Sequence, residues 1–286
     1  MVLDSRDSLG EVPVWCMRTS QLWWINVRKP NIRSFDPSTG RHQAYPLKGR
    51  SVGSWALRAR GGVILSMHDS VYGFDPVTGD FARLLPLEAE IEGHRLSDGR
   101  CDRLGRFWVG TMHDTVRQPT GSFYRIESDL KPKKIFGEGN IPNSTLFSPD
   151  DRLMYWADTR AGKIWVFDFD IDAGTISNRR VFRDFAGHPG LPDGSAIDVD
   201  GCVWNAEYDG SRTVRRTPGG KIDRVTELPV SQPTCCAFGG DQFDTLYITN
   251  ASQKLSPEAL ANQPLAGHLF AIRPGVCGMP EPSSAG

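Results

Sequence analysis

Leu104-Gly-Arg-Phe-Trp-Val-Gly110 reads as a turn leading into an aromatic, β-branched strand, and the same unit returns along the chain. It recurs as Ser20-Gln-Leu-Trp-Trp-Ile-Asn26, Gly61-Gly-Val-Ile-Leu-Ser66, Asp151-Arg-Leu-Met-Tyr-Trp-Ala157, Asp200-Gly-Cys-Val-Trp-Asn205 and Phe243-Asp-Thr-Leu-Tyr-Ile-Thr249. With Trp24, Val63, Trp108, Tyr155, Trp204 and Tyr247 as markers, successive copies stand 39, 45, 47, 49 and 43 residues apart. Each marker is followed by a second strand and turn, as in Ile32-Arg-Ser-Phe-Asp-Pro-Ser-Thr-Gly40 and Val71-Tyr-Gly-Phe-Asp-Pro-Val-Thr-Gly79. A unit of roughly 40 to 50 residues built from about four short strands is the signature of a β-propeller blade. Six copies predict an all-β, six-bladed β-propeller formed by residues 1–286 as one domain, with a flexible C-terminal tail from about residue 279. A sandwich or barrel is the competing architecture, but neither calls for so regular a recurrence. Whether the N-terminal strand completes the last blade or the first is left open.

Helical periodicity is missing over any long stretch, and 30 Gly and 20 Pro punctuate the 286 residues throughout. The exception is Ser256-Pro-Glu-Ala-Leu-Ala-Asn262, a serine cap followed by proline at the first helical position. Lys plus Arg number 33 against 34 Asp plus Glu, so a nucleic-acid partner, which needs a clustered basic excess, is not expected. No apolar run is long enough to span a bilayer, so no membrane association is expected either. Charges interrupt Met1-Val-Leu-Asp-Ser-Arg-Asp-Ser-Leu-Gly10 where an export signal would be apolar, which predicts a cytoplasmic address. The six cysteines form no C-x-x-C pair and read as free thiols; Cys235 and Cys236 are neighbours on a strand and point to opposite faces.

In a propeller the strands nearest the axis line a channel, and equivalent places in different blades converge at its mouth. Counted back from the markers, Glu11 lies 13 residues before Trp24, Asp98 10 before Trp108, Asn143 12 before Tyr155 and Asp193 11 before Trp204. Oxygen-bearing side chains thus recur at nearly one place in the unit. Facing one axis they repel each other unless a cation neutralises them, and hard oxygen donors suit Ca²⁺, Mg²⁺ or Mn²⁺. Turn capping by Asn and Asp is the competing account, and the Pro and Gly around Glu11, Asp98 and Asp193 suit either.

At these residues the chain resembles the SMP-30/gluconolactonase family, the regucalcin-like sugar lactonases, which are six-bladed propellers with one divalent metal. The likeness runs through Gly10-Glu11-Val-Pro-Val-Trp15, Arg95-Leu-Ser-Asp-Gly-Arg-Cys-Asp-Arg-Leu-Gly-Arg-Phe-Trp-Val-Gly-Thr-Met112, Ile141-Pro-Asn-Ser-Thr-Leu-Phe-Ser-Pro-Asp150 and Pro192-Asp-Gly194. It continues in Pro229-Val-Ser-Gln-Pro-Thr-Cys-Cys-Ala-Phe-Gly-Gly240 and Pro264-Leu-Ala-Gly-His-Leu-Phe270. By that resemblance Glu11, Asn143 and Asp193 match metal ligands and Arg95 a substrate-binding arginine. The cofactor implied is one divalent cation, Ca²⁺ first, with Zn²⁺, Mn²⁺, Mg²⁺ and Fe²⁺ as alternatives. The activity implied is hydrolysis of a gluconolactone, xylonolactone or arabinonolactone type of sugar lactone to the aldonic acid, by a monomer or weak homo-oligomer. Two departures stand out. Ser97 replaces the asparagine of the family's usual Arg-x-Asn-Asp-Gly, which bears on ring size and sugar preference. Proline at 142 precedes Asn143 where the family has Ser-Asn-Gly, and nearby Asn140 is a rival ligand.

A bound cation would polarise the lactone carbonyl, with Asp193 as candidate general base. Arg95, Ser97, Asp98 and His113 are the expected substrate contacts, although none of the histidines has a partner at metal-ligand spacing and each equally suits packing or surface. Gly49-Arg-Ser51-Val-Gly53 matches a serine-hydrolase pattern without the helix that gives it meaning. Asp168-Phe-Asp170-Ile-Asp172-Ala-Gly174 begins like a calcium loop but has Arg179 at the position of the bidentate Glu, and reads as a hairpin. The marker tryptophans read as packing between blades. A non-catalytic metal-binding propeller and a hydrolase of other esters or phosphotriesters are the alternatives.

Overall fold

All six repeat markers fall on the second strand of a separate antiparallel sheet, at Gln21–Asn26, Val63–Met67, Phe107–His113, Leu153–Asp158, Val203–Tyr208 and Thr245–Asn250. The computed structural model describes residues 1–116 and 118–286, and among these the sheets occupy 10–46, 52–86, 94–139, 142–184, 191–227 and 233–272. Five sheets have four strands and the sixth has three, each meandering in chain order. The first strands are Gly10–Cys16, Val52–Leu57, His94–Cys101, Pro142–Phe147, Leu191–Ile197 and Pro233–Gly239. Each contacts the first strands of both neighbouring sheets, and the last contacts the first, so the blades form a closed ring. The first strands are buried almost throughout, whereas outer strands such as His42–Pro46 and Ile222–Glu227 are largely exposed and polar. Charged outer edges protect a sheet from pairing with another chain.

Closure comes from the N-terminal segment. Leu3 pairs with Leu269 beside the third strand of blade six, the Leu269 N–H donating to the Leu3 carbonyl at 3.0 Å. The N-terminus therefore completes the last blade. The capped turn of helix is present at Pro257–Asn262, Ser256 Oγ accepting from the Ala259 N–H. Asp168 to Gly174 form the end of a hairpin, as read from the sequence, and Ser51 leads directly into the strand Val52–Leu57 with no helix after it. Cysteines 16, 101, 202, 235, 236 and 277 are all free.

Apolar side chains collect between the blades. Trp23, Trp55 and Leu65 join blades one and two; Trp108, Phe147 and Trp156 join three and four; Trp204, Phe238 and Ile248 join five and six. Burying each such side chain contributes on the order of 1.5–3 kcal/mol. All three marker tryptophans carry a polar anchor as well. Trp108 Nε1 donates to Asp102 and Trp204 Nε1 to Asp198, each carboxylate standing six residues earlier and also accepting from an arginine, Arg106 or Arg215. Asp102 and Asp198 additionally accept the backbone N–H groups of Arg106 and Cys202, so one buried carboxylate ties the turn to the indole. Trp24 donates likewise to Asp7.

Residues 279–286, expected from the sequence to be a flexible tail, lie across the channel end opposite the strand N-termini. The Ser284 N–H donates to Leu57 O at 2.7 Å, the Ala59 N–H to Ser284 O at 2.9 Å and the Ala285 N–H to Gly105 O at 3.0 Å. Just upstream the Gly278 N–H reaches Phe243 O, and Val199 donates to Cys277 O. The segment has no strand periodicity to announce this packing. Its backbone groups pair with turns that leave the ends of several blades, and Pro280 and Pro282 limit the freedom it loses on ordering.

Candidate functional site

All six first strands share an irregularity near their N-terminal ends, each carrying one residue more than the second strand opposite it. In blades one, three, four and five, two residues oppose one on the second strand: Val12 and Pro13, Ser97 and Asp98, Ser144 and Thr145, and Asp193 and Gly194. Such a β-bulge bends the strand and re-aims its side chains. Every candidate oxygen ligand sits in the bulge or immediately before it. Val12 and Ser144, which follow Glu11 and Asn143, hold φ of 47° and 52°, a conformation rarely adopted by a β-branched valine. After Asp98 and Asp193 the same place is taken by Gly99 and Gly194. There a Cβ would come within 2.5 Å of Trp108 O and 2.9 Å of Thr234 O respectively, so these glycines serve close strand packing.

A belt of hydrogen bonds fixes the strands to one another around the axis. Trp55 Nε1 donates to Val12 O at 2.8 Å, Ser54 Oγ to Ser97 O at 2.8 Å, Ser97 Oγ to Pro142 O at 3.3 Å and Thr234 Oγ1 to Gly10 O at 2.5 Å. Ser144 Oγ donates to Asp193 O. Residues in or beside the bulges of one blade are thus held by side chains of an adjacent blade.

Inside this belt the channel mouth opens as a cavity lined by Glu11, Arg95, Ser97, Asp98, Asn143 and Asp193. Asn143 and Asp193 are buried, while Glu11 and Asp98 retain an opening towards the cavity. Burial holds the Glu11 carboxyl well above its ordinary value, and the negative charges of Asp193 and Asp98 push it further. Asp193 is raised for the same reasons, burial first and then Asp98, with the Gly194 N–H as a counterweight. Asp98 is raised by burial and drawn back by the Thr145 N–H, which it accepts at 3.1 Å, and by Arg100.

The orientation of the Asn143 amide follows from its neighbours. Thr159 Oγ1 donates to Pro192 O at 2.7 Å, so it must accept from Asn143 Nδ2, also at 2.7 Å. That leaves the amide oxygen as the atom free to face the cavity. Two crowded carboxylates and one amide oxygen form a hard-oxygen set, which suits a divalent cation of the Ca²⁺ or Mg²⁺ kind. Among the described residues no three His, Cys, Asp or Glu side chains are grouped to hold a metal, so this set depends on the asparagine.

Arg95 is aimed by two contacts, its Nε donating to Asp114 at 2.7 Å and its Nη1 to Leu96 O at 2.9 Å. Asp114 is also gripped by Arg28 at 2.8 Å, and both arginines lower its pKa against the opposing effect of burial. Arg28, Tyr208 and Lys254 join the cavity wall, and sequence reasoning missed them together with Asp114. The one signal was position: Asp114 and Tyr208 sit at the mouth-side ends of second strands, where the next residues must turn. His113 stands outside the cavity lining. Strand alternation turns Met112 inward, and His113 Nδ1 instead accepts the Val116 N–H at 3.0 Å, its ring lying edge-on to His94. Asn140 also stays off the lining, its backbone N–H donating to Asp158 at 2.7 Å.

A family model described as SMP-30/Gluconolactonase/LRE-like region matches residues 9–252. The chain belongs to this family. Among SMP-30/gluconolactonase relatives, a 6-deoxy-6-sulfogluconolactonase of Pseudomonas putida is 36% identical over 97% of this chain and 95% of its own length. An L-arabinolactonase of Azospirillum brasilense is 35% identical over 100% of this chain and 95% of its own. The solved structure of a calcium-binding protein, regucalcin, from Agrobacterium tumefaciens superposes with a TM-score of 0.93 at 29% identity, covering 99% of this chain and 95% of that one. The family match spans the first strands of all six blades.

Proposed function

We propose that this protein is a divalent-cation-dependent sugar-lactone hydrolase, with Glu11, Asn143 and Asp193 as cation ligands and Asp193 as general base. Its curated relatives carry the names of sugar lactonases over nearly the full chain, which supports the reaction class. The observation that carries the site is the convergence of two carboxylates with raised pKa values and one outward-turned amide oxygen in a single cavity. A cation bound there supplies Lewis acidity and relieves the repulsion between the carboxylates. Ca²⁺ is the first choice, since the oxygen set suits it and a close structural neighbour is described as calcium-binding.

The remaining chemistry belongs to the chain. Arg95, held rigid by Asp114, presents its outer N–H groups to hydroxyls or the ring oxygen of the sugar. Asp98, anchored to the Thr145 N–H and three residues beyond Arg95 on the same strand, orients the sugar. Asp193 takes a proton from the attacking water as the water oxygen bonds to the carbonyl carbon. The ring C–O bond then breaks and the ring oxygen leaves as a hydroxyl, receiving that proton. Ser97, whose hydroxyl holds Pro142 O, is shorter than the family's usual asparagine and leaves the sugar more room at this wall.

The test is acid release from a panel of five- and six-membered aldonolactones, unsubstituted and sulfonated, with and without a chelator. Hydrolysis of at least one sugar lactone that stops with chelator and resumes with Ca²⁺ or another divalent ion is the expected result. Turnover indifferent to chelator contradicts the cation assignment; no turnover of any lactone contradicts the reaction class.

A further inference from the structure

The channel floor is built by the C-terminal segment, and one of its side chains enters the channel. Glu281 Oε1 lies 3.1 Å from Arg100 Nη1, both side chains being more than four-fifths buried at 12% and 18% exposure for Arg100 and Glu281 respectively. Arg100 stands two residues beyond Asp98 on the first strand of blade three, and its Nη2 donates to Ser195 O at 3.0 Å on the strand that carries Asp193. It therefore struts the two walls of the site from below. Its charge reaches the cavity, because it pulls Asp98 back from the raised value that burial imposes.

A buried cation directly beneath a cation site is unfavourable unless something compensates it. We propose that Glu281 is a positioning residue for the cation site: paired with Arg100, it cancels the positive charge on the channel floor and holds the guanidinium as a strut between blades three and five. The C-terminal segment is thus part of the functional machinery. This inference rests on the cation site proposed above, and adds that a residue touching neither ligand nor substrate sets the affinity.

The experiment is calorimetric titration of the full chain with Ca²⁺ alone, for wild type, Glu11→Ala, Glu281→Gln, Arg100→Met and the Arg100→Met/Glu281→Gln pair, with thermal melts of each chelated protein. Glu281→Gln removes the ion-pair partner of Arg100 and leaves excess positive charge on the floor, and is expected to weaken Ca²⁺ binding about tenfold, while the double variant returns to within about twofold of wild type. A purely structural tail would lower melting temperatures without this rescue. Wild-type affinity in Glu281→Gln, or a double variant as weak as the single, overturns the proposal. Should Glu281→Gln fail to fold, Arg100→Met must bind Ca²⁺ several-fold more tightly than the double variant, since only the former keeps the carboxylate. Equal affinities overturn the proposal. A wild-type chain that takes up no Ca²⁺, or a Glu11→Ala variant that binds as wild type does, overturns the site itself and this inference with it; wild-type uptake with an unaffected Glu281→Gln overturns the inference alone.

Discussion

Asp193→Asn is expected to lower kcat for lactone hydrolysis by about 10³-fold, within the range that a positioned general base contributes. The exchange is nearly isosteric, and the backbone features around it stay in place. The Asp193 carbonyl still accepts from Ser144 Oγ, and Gly194 still lets the neighbouring strand approach. What changes is the group facing the cavity, because an amide cannot take the proton of the attacking water. The cation site also loses one of two carboxylates, so Ca²⁺ uptake weakens in the same variant. Glu11→Gln separates the two effects: it removes a ligand charge while leaving the base, so excess Ca²⁺ restores a large part of its rate and does not restore Asp193→Asn. Steady-state kinetics at rising Ca²⁺ measures both. Asp193→Asn working at wild-type kcat would remove Asp193 from the mechanism.

Asp198→Ala is expected to destabilise the chain by about 3–5 kcal/mol, the range for breaking a buried ion pair from one side. Asp198 is fully buried and accepts from Trp204 Nε1, Arg215 Nε and the backbone N–H groups of Asp200 and Cys202. Alanine leaves an indole N–H and a turn without acceptors, and an arginine that retains only Asp200 and Asp223 nearer the surface. Orphaned donors are costly where water cannot reach them. For a protein of this length such a loss lowers Tm by about 10 °C. Thermal melts followed by circular dichroism decide it; a Tm within about 2 °C of wild type would show that the carboxylate is dispensable.

Much of this was legible in the chain because the repeat is a spatial rule. A marker on the second strand of each blade places any residue some ten to thirteen positions earlier on the first strand, near the axis. Hence Glu11, Asp98, Asn143 and Asp193 were found by counting, and the bulges that aim them explain why the counts differ by a few residues. The Asp102 and Asp198 anchors also carry a visible spacing, six residues before a tryptophan. Asp114, Arg28 and Lys254 were not legible, since they reach the mouth from turns whose lengths vary from blade to blade. His113, expected as a substrate contact, lies off the cavity lining, because alternation along the strand gives the inward face to Met112. The packing of the C-terminal segment was not legible, since it binds chiefly through backbone groups and two prolines that leave no hydrophobic period.

The central claim is that Glu11, Asn143 Oδ1 and Asp193 meet around one cation. Its most direct measurement is a crystal structure of the protein grown with Ca²⁺, with anomalous scattering used to place the ion. The account predicts a peak at the channel mouth with all three oxygens about 2.3–2.6 Å away. A lactone-hydrolysing crystal whose cation sits elsewhere, or whose Asn143 turns its nitrogen to the cavity, would contradict it.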